Sequence, residues 1–393
     1  MNSITFLVFK KEIVDLFRDK KTVFMAIIIP LIIFPVIFGV MGKAMESSEK
    51  SVENNMKIAI QGDVNSSLYD YIKGQEGIKL VESENINKDV KKGDVLAAVI
   101  IPDGFDNNID EENMPKLEII YDNSSQSSMI VEGKISSYIQ AYSNEIIVKR
   151  LGNKGIDVSI LTPIESVYTT VEEEESGMGK FMISLLLPLM VVLYSVTGPL
   201  AAATDLGAGE KERGTIEPLL TTKASRMSLL WGKFLAITVM GLLTNISALL
   251  GLMIASTQTS GFFGEGASFS LDTKTILLIG LIAILTTMVF GALELSISIF
   301  ARSFKEAQTY LSPLTIIALI PTYATYMLDG KNIPSFYFHI PLSNVVCLIK
   351  EFINGVYNYN HIFITFGWTI IYILASILLA RFMFNREEVI FRT

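Results

Sequence analysis

Two polar residues stand inside otherwise apolar runs. Glu294 lies in GALELSISIFARS, with Ser298 one helical turn later, and Asn245 is the strongly polar residue of another run. An ionisable group inside a membrane helix is expensive, so it generally marks an ion pathway or a binding site. The three residues are therefore candidates for a cation site or a pathway lining. Alternatively, Glu294 reaches a surface base such as Lys305, and Asn245 makes an interhelical hydrogen bond.

A second group of charges fills residues 203–234, between two apolar runs. So many charges cannot lie in hydrocarbon, where one at the centre of a helix costs about 2.5–3.5 kcal/mol. Gly214 and Thr215 offer a helix start, and Glu217 falls in its first turn. We expect a short helical elbow over residues 205–222 that presents a docking surface. An ordinary surface loop is the alternative.

Other chemistry finds little support in the sequence. The phosphate-binding pattern G-x-x-x-x-G-K-[ST] does not occur, so the chain should not hold a triphosphate in that way. Two histidines, His339 and His361, and a single cysteine, Cys347, are too few for a zinc site or a disulfide framework. We therefore expect no catalytic residues, no bound metal and no cofactor in this chain.

The composition places the chain in a membrane. Half of the 393 residues are apolar and the mean hydropathy is +0.45, well above the range typical of soluble chains. The net charge is −8, and the acidic excess is confined to residues 43–180. A nucleic-acid partner is therefore not expected.

Hydropathy predicts an integral membrane all-α bundle of six transmembrane helices. Each predicted span is an uncharged or nearly uncharged run of about 20 residues, enough to cross the hydrocarbon core. Residues 332–356 contain Pro334 and Pro341, which cut the run into pieces too short to cross, so we expect a re-entrant segment. A cleavable signal peptide at the first run is disfavoured by the length of that run. The six predicted spans are 22–42, 181–204, 234–256, 275–300, 307–328 and 361–380.

Two further regions lie outside the spans. Residues 1–21 predict an amphipathic interfacial helix, with an apolar stripe that includes Phe6, Phe9 and Phe17 and with Glu12 on the opposite, charged side. Residues 43–178 are polar and alternate strand-like with helix-like runs, which predicts an α/β or α+β domain inserted between the first two spans. Residues 179–393 form the remaining transmembrane domain.

The distribution of basic residues predicts the orientation. With six spans, fifteen Lys and Arg fall on one side, whereas the short loops of the other side hold only Lys274, Lys331 and Lys350. The positive-inside bias then makes both termini and the elbow cytosolic, and the inserted domain extracytoplasmic. The fifteen are Lys10, Lys11, Arg18, Lys20, Lys21, Lys211, Arg213, Lys223, Arg226, Lys233, Arg302, Lys305, Arg381, Arg386 and Arg392.

The elbow carries a resemblance to a known family. EKERGTIEPLLTT at 210–222, followed by SRMSLLWGKF at 225–234, resembles the signature between the second and third spans of type 2 ABC exporter permeases, and in particular that of the sodium-extrusion permeases. AAVIIPDGF at 97–105 and the arrangement of the whole chain fit the same family. The resemblance implies that the elbow is a coupling helix. Its coupling residues would be Glu210, Arg213, Gly214, Thr215 and Glu217.

The resemblance also implies partners and a function. The chain would be a permease in the cell membrane, and the resemblance implies a bacterial host. It would dimerise with itself or with a sister permease and dock separate cytosolic ATPase subunits, which bind ATP and Mg. Sodium is the favoured substrate, exported by alternating access, and the negative field of the acidic domain would attract cations. Exporters of hydrophobic drugs, lipid or peptide are the alternative, and a membrane sensor is a more distant one.

Overall fold

The fold is that of a mostly helical protein with one small sheet. The computed structural model describes residues 3–161, 163–164, 167, 169, 174–258 and 271–386. The α-helices are α1 Ser3–Arg18, α2 Lys20–Val23, α3 Ile29–Glu53, α4 Ser67–Lys73, α5 Ile86–Lys92, α6 Phe105–Asp110, α7 Gln126–Asn153, α8 Glu174–Thr204, α9 Glu210–Glu212, α10 Ile216–Leu220, α11 Arg226–Ser256, α12 Thr273–Phe300, α13 Phe304–Ala324, α14 Ser343–Ile353 and α15 Tyr359–Asn385. The strands are β1 Met56–Gly62, β2 Ile78–Leu80, β3 Ala97–Ile101 and β4 Glu118–Tyr121. Phe24–Ile28 and Asp205–Gly209 are π-helical, and Val158–Leu161 and Ser335–His339 are 3₁₀-helical.

Long apolar helices dominate one of the two compact units, which comprises residues 1–40 and 172–393. Among the described residues, five helices are long and apolar enough to cross a membrane. The predicted count of six is not confirmed, because α13 occupies the predicted fifth span but is not among the five. Its 21 residues include Lys305, Glu306 and two prolines, which lower its apolar character. The five are Lys20–Ser48, Gly179–Glu212, Arg226–Ser256, Thr273–Phe300 and Tyr359–Asn385.

The centre of this unit is formed by α8, α11 and α12, with α15 against α12. Small residues allow the backbones to approach closely, as is common between membrane helices. A Cβ added to Gly198 of α8 would lie 2.9 Å from the Cβ of Thr244 and 3.0 Å from the Cα of Gly241, both in α11. The buried apolar side chains form two large clusters, one around Val191, Leu252 and α14 and the other beside the elbow, and three alanines form a small third one.

The N-terminal helix α1 packs on α11 through a face that differs from the predicted stripe. Val8 and Leu16 are buried as expected of apolar residues, but Glu12 is buried with them, and Phe6 and Phe17 are about half exposed. The predicted assignment of Glu12 to the polar side was therefore wrong. The physical reason is the partner helix: α11 presents Gly232 under Val8, which allows close approach, and it presents a cation that requires an acid opposite.

Residues 41–171 form the second compact unit, which is built on a four-stranded sheet. The strand order is β2-β1-β3-β4, with β1 parallel to β2 and β3, and with β4 antiparallel to β3. Helices cover the sheet, with Leu68 of α4 and Val131 of α7 in one buried cluster and Val90 of α5 in another. The mixed α/β character expected for this region is what the structure shows. Its side of the membrane remains a prediction.

Two short helices occupy the segment predicted to be re-entrant. The 3₁₀ helix Ser335–His339 precedes α14, which has only 11 residues and is buried along its whole length. At 1.5 Å per residue α14 spans about 17 Å, too little to cross hydrocarbon. The proline positions therefore interrupt the helix as predicted, and the re-entrant course within a bilayer remains a prediction.

Candidate functional site

The elbow, residues 205–222, begins as a continuation of α8. The π-helical turn Asp205–Gly209 leads into α9, and the chain then reverses at Gly214 before α10. Gly214 has φ +68°, a left-handed conformation that side chains other than glycine rarely adopt. The backbone N–H and the hydroxyl of Thr215 both donate to the carbonyl of Glu210, at 3.0 and 3.1 Å, and so close the turn.

Four charged residues, Lys11, Glu12, Glu210 and Lys233, form an ion cluster that ties the elbow to α1 and α11. Lys233 Nζ lies 2.6 Å from Glu210 Oε2 and 3.5 Å from Glu12 Oε1, and it donates to the carbonyl of Leu206 at 3.0 Å. The side chains of Lys233 and Glu12 are each 1% exposed, and Glu210 is also buried. Lys11, which is half exposed, contacts both acids. A cation shared between two buried acids fixes the relative positions of three elements.

The elbow is also fixed to the turn between α12 and α13. Lys211 Nζ donates to the carbonyls of Ile299 and Ala301, at 2.9 and 3.0 Å, at the end of α12. Glu212 Oε2 accepts from the backbone N–H of Phe304 at 2.7 Å, at the start of α13. A cation at a helix C-terminus and an acid at a helix N-terminus both complement the helix dipole.

Ser298 takes part in the same attachment. Its hydroxyl accepts from the N–H of Ala208 at 2.9 Å and donates to the carbonyl of Thr204 at 3.3 Å. Gly207 makes this possible, because a Cβ at that position would collide with the Ser298 hydroxyl. The predicted site residue Ser298 thus holds α12 against the start of the elbow.

The residues predicted to couple to a partner divide into an inner and an outer set. Glu210 is buried in the ion cluster, whereas Arg213, Gly214 and Thr215 are exposed. Arg213 Nη1 donates to Asp205 Oδ1 at 2.7 Å, and this hydrogen bond raises the pKa of the Arg213 guanidinium. The side chain of Glu217 lies outside the described residues. Among the coupling residues whose side chains the structure describes, the outer set is the one exposed for direct contact with another protein.

Glu294 is completely buried in α12, and among the described residues neither carboxylate oxygen has a hydrogen-bond partner. The pairing with Lys305 that the alternative interpretation requires is not formed there. An ionised carboxyl in an apolar environment carries a large desolvation penalty, which a proton or a bound cation would remove. The hydroxyl of Ser296 donates to its own helix, to the carbonyl of Ala292 at 2.6 Å, and two residues along a helix it does not face Glu294.

Asn245 lies in a different part of the bundle from Glu294. Its side chain is within hydrogen-bond distance of Ser195 Oγ at 3.3 Å and Thr287 Oγ1 at 3.2 Å, so it connects α11 to α8 and α12. Thr287 precedes Glu294 by seven residues, or about 10 Å along the helix. The structure therefore does not bring the two predicted pathway residues into one site, and Asn245 makes the interhelical hydrogen bonds of its alternative interpretation.

A further polar group fixes α14. Lys350 is 1% exposed and donates to the carbonyls of Thr325 and Leu328, each at 3.1 Å, and to that of Tyr326, all just past the end of α13. Glu351 Oε1 lies 2.7 Å from His361 Nδ1 at the start of α15. These contacts hold the short helix between two longer ones.

Several of these partners were missed by reasoning from the sequence. Lys233 was counted among the cytosolic charges, and Glu12 among the polar side of α1. The signal was present, because Glu12 follows Thr5 and Val8 and precedes Leu16 at helical spacing, and all four are buried. The sequence could not show that Glu12 and Lys233, which are 221 positions apart, face each other between two packed helices. Among the described residues, no group of three or more His, Cys, Asp or Glu could hold a metal ion.

Comparison with known proteins gives two findings. The family model described as ABC-2 family transporter protein matches residues 20–382. The chain is also similar to the ABC transporter permease protein NatB of Bacillus subtilis strain 168. The two sequences are 29% identical over 390 residues, which cover 97% of this chain and 98% of that protein.

Proposed function

Because the chain belongs to the ABC-2 family of transporter proteins, we propose that it is the permease of an ATP-driven exporter that extrudes Na⁺. It is the membrane subunit of an ABC transporter and not its ATPase, which agrees with the missing phosphate-binding loop. The resemblance drawn from residues 210–234 is confirmed by this membership. A permease of this family works with an ATPase subunit, and ATP and Mg would bind there.

The elbow is the proposed point of contact with that ATPase subunit. Its outer set, Arg213, Gly214 and Thr215, would dock in the partner, and Glu217 would join them. A displacement of the elbow would then be passed on through rigid contacts. The ion cluster would transmit it to α1 and α11, and Lys211 and Glu212 would transmit it to the turn between α12 and α13.

Sodium is the proposed cargo, and the observation that carries this proposal is the unpartnered carboxyl of Glu294. A group buried without a partner between apolar helices provides a negative charge that a small cation could match. Carboxylate oxygens suit hard cations. The chain's similarity to NatB supports the same cargo, and the alternative of a hydrophobic drug, lipid or peptide does not require Glu294.

The proposed arrangement in the membrane follows the distribution of basic residues. The chain is a multi-pass membrane protein, and the bacterial relative suggests the cell membrane. Both termini and the elbow would be cytosolic, and the unit of residues 41–171 would be extracytoplasmic. The permease would act as a dimer, with itself or with a sister permease, and alternate between inward-open and outward-open states.

The cargo is tested with inside-out vesicles that contain the permease and its ATPase subunit. ATP-driven uptake of ²²Na⁺ is expected to fall at least tenfold in Glu294→Gln, because the neutral amide cannot match the charge of the ion. Ser296→Ala is the matched control on the same helix and should change uptake much less. Full uptake by Glu294→Gln would refute the cation role, and uptake by neither wild type nor variant would favour the hydrophobic cargo.

The docking role is tested separately. Arg213→Glu reverses a charge on the exposed surface of the elbow without entering the buried cluster, so the permease should insert and fold normally. We expect loss of co-purification with the ATPase subunit. Lys223→Glu is the matched control in the same polar stretch. Normal complex formation by Arg213→Glu would exclude this residue from the contact.

A further inference from the structure

A cavity of about 300 Å³ lies between α12, α13, α14 and α15. Its walls are mostly apolar and include Phe290, Leu293 and Leu314, and no charged side chain lines it. Cavities that bind small molecules have this volume and composition, with a few polar groups that fix the orientation of the ligand. The cavity is distinct from the elbow and from Asn245.

One polar group of the lining has no partner. Asn344 of α14 lines the cavity and is 0% exposed, and its Nδ2 has no hydrogen-bond partner among the described residues. Its Oδ1 accepts from the N–H of Val345 at 2.9 Å, so that atom is already used. A buried donor left without an acceptor is unfavourable. The Asn344 amide therefore lacks an acceptor among the residues that the structure describes.

The backbone beside Asn344 is also unusual. Leu342, which lines the same cavity, has φ +66° and ψ −37°, a conformation that residues other than glycine rarely adopt. Strained residues of this kind persist where the surrounding structure holds them, and they cluster at binding sites. The strain lies at the first turn of α14, where it sets the position of Asn344.

The opening of this cavity favours an apolar occupant. The hydroxyls of Thr286 and Thr369 donate to carbonyls of their own helices, at 2.8 and 2.7 Å, so towards an occupant they can only accept. The hydroxyls of Tyr372 and Ser376 complete the polar part of the lining. Ile317, at the wall formed by α13, is 59% exposed, so the cavity reaches the surface of the apolar bundle. Molecules that partition into hydrocarbon would concentrate there.

We propose that this cavity binds an uncharged lipophilic molecule through one acceptor oxygen, which receives a hydrogen bond from Asn344 Nδ2. The apolar walls exclude a charged ligand, because no side chain would compensate its charge. A carbonyl or ether oxygen attached to rings or a short hydrocarbon satisfies both features. This site does not depend on Glu294, so it stands whether or not the cargo is sodium.

Benzophenone is a suitable probe, because it has two apolar rings and a single carbonyl oxygen and couples to nearby C–H bonds under ultraviolet light. The full-length permease in lipid nanodiscs is irradiated with it, and the labelled peptides are identified by mass spectrometry. We expect labelling to concentrate on residues 286–293 and 341–345. Labelling that follows surface exposure over α3 and α11, which do not line the cavity, would overturn the proposal.

Two variants sharpen the test. Asn344→Leu keeps the volume and removes the donor, so labelling of the cavity peptides should fall roughly three- to tenfold, the effect of one neutral hydrogen bond. Ala375→Trp fills the exposed rim of the cavity without entering the core, so it should abolish labelling of the cavity peptides. This variant keeps the test valid if Asn344→Leu fails to fold. Leu378→Trp on the exposed surface of the same helix is the control. Equal labelling in the rim variant and this control would reject the site.

Discussion

Lys233→Met gives the sharpest test of the ion cluster. The substitution keeps an unbranched side chain and removes the cation 2.6 Å from Glu210 and 3.5 Å from Glu12. Both acids remain buried, and only the half-exposed Lys11 is left to compensate them. Removing one partner of a buried ion pair costs about 3–5 kcal/mol, because the remaining charge is left without compensation. Methionine also loses the hydrogen bond to the carbonyl of Leu206.

The effect should appear in both stability and coupling. At about 2 °C per kcal/mol for a large domain, the apparent melting temperature should fall by roughly 6–10 °C. The apparent melting temperature is measured on detergent-solubilised permease, from the loss of its monodisperse peak in size-exclusion chromatography after heating. Transport-stimulated ATP hydrolysis should also fall, since the elbow is no longer held to α1 and α11. Lys223→Met, an exposed lysine of the same stretch, should shift the melting temperature by about a degree at most.

A double-mutant cycle separates charge from packing. If the loss comes from an uncompensated acid, Glu210→Gln in the Lys233→Met background should restore about 0.5–3 kcal/mol relative to the sum of the single changes. Strict additivity of the two substitutions would refute the electrostatic explanation. Equal melting temperatures for Lys233→Met and Lys223→Met would refute the cluster itself.

Three further substitutions test other parts of the structure. Lys350→Met should destabilise the permease by about 3 kcal/mol in the same heating assay, because three carbonyls past α13 lose their donor; an unchanged melting temperature would contradict this role. Gly207→Ala should reduce coupled ATP hydrolysis and cost about 1–3 kcal/mol by collision with Ser298. Gly280→Ala, on the open side of α12, should be neutral, and equal effects of the two would contradict the contact. Ile58→Ala should cost about 2–5 kcal/mol in the sheet unit and speed its limited proteolysis; unchanged cleavage would place Ile58 outside the core.

Composition and periodicity determined much of this architecture. Uncharged runs of about 20 residues predict apolar helices because the length and polarity of a chain decide whether it can cross hydrocarbon. The strands and helices of residues 41–171 follow from local signals, such as Ser66 and Asn85, whose side chains cap α4 and α5. The signature at 210–234 identified the family. All of these depend on residues close together in the sequence.

What only the tertiary structure decided is which polar groups meet. Glu12 and Lys233 are 221 positions apart, and neither residue indicates its partner until α1 packs on Gly232. Ser298 is a candidate for a cation site or pathway lining by its sequence position, and the structure adds a hydrogen bond to the elbow, because Gly207 leaves room for its hydroxyl. Hydropathy alone predicts that a charged residue faces the aqueous phase. Burial and pairing depend on the opposite helix, which the local pattern of residues does not specify.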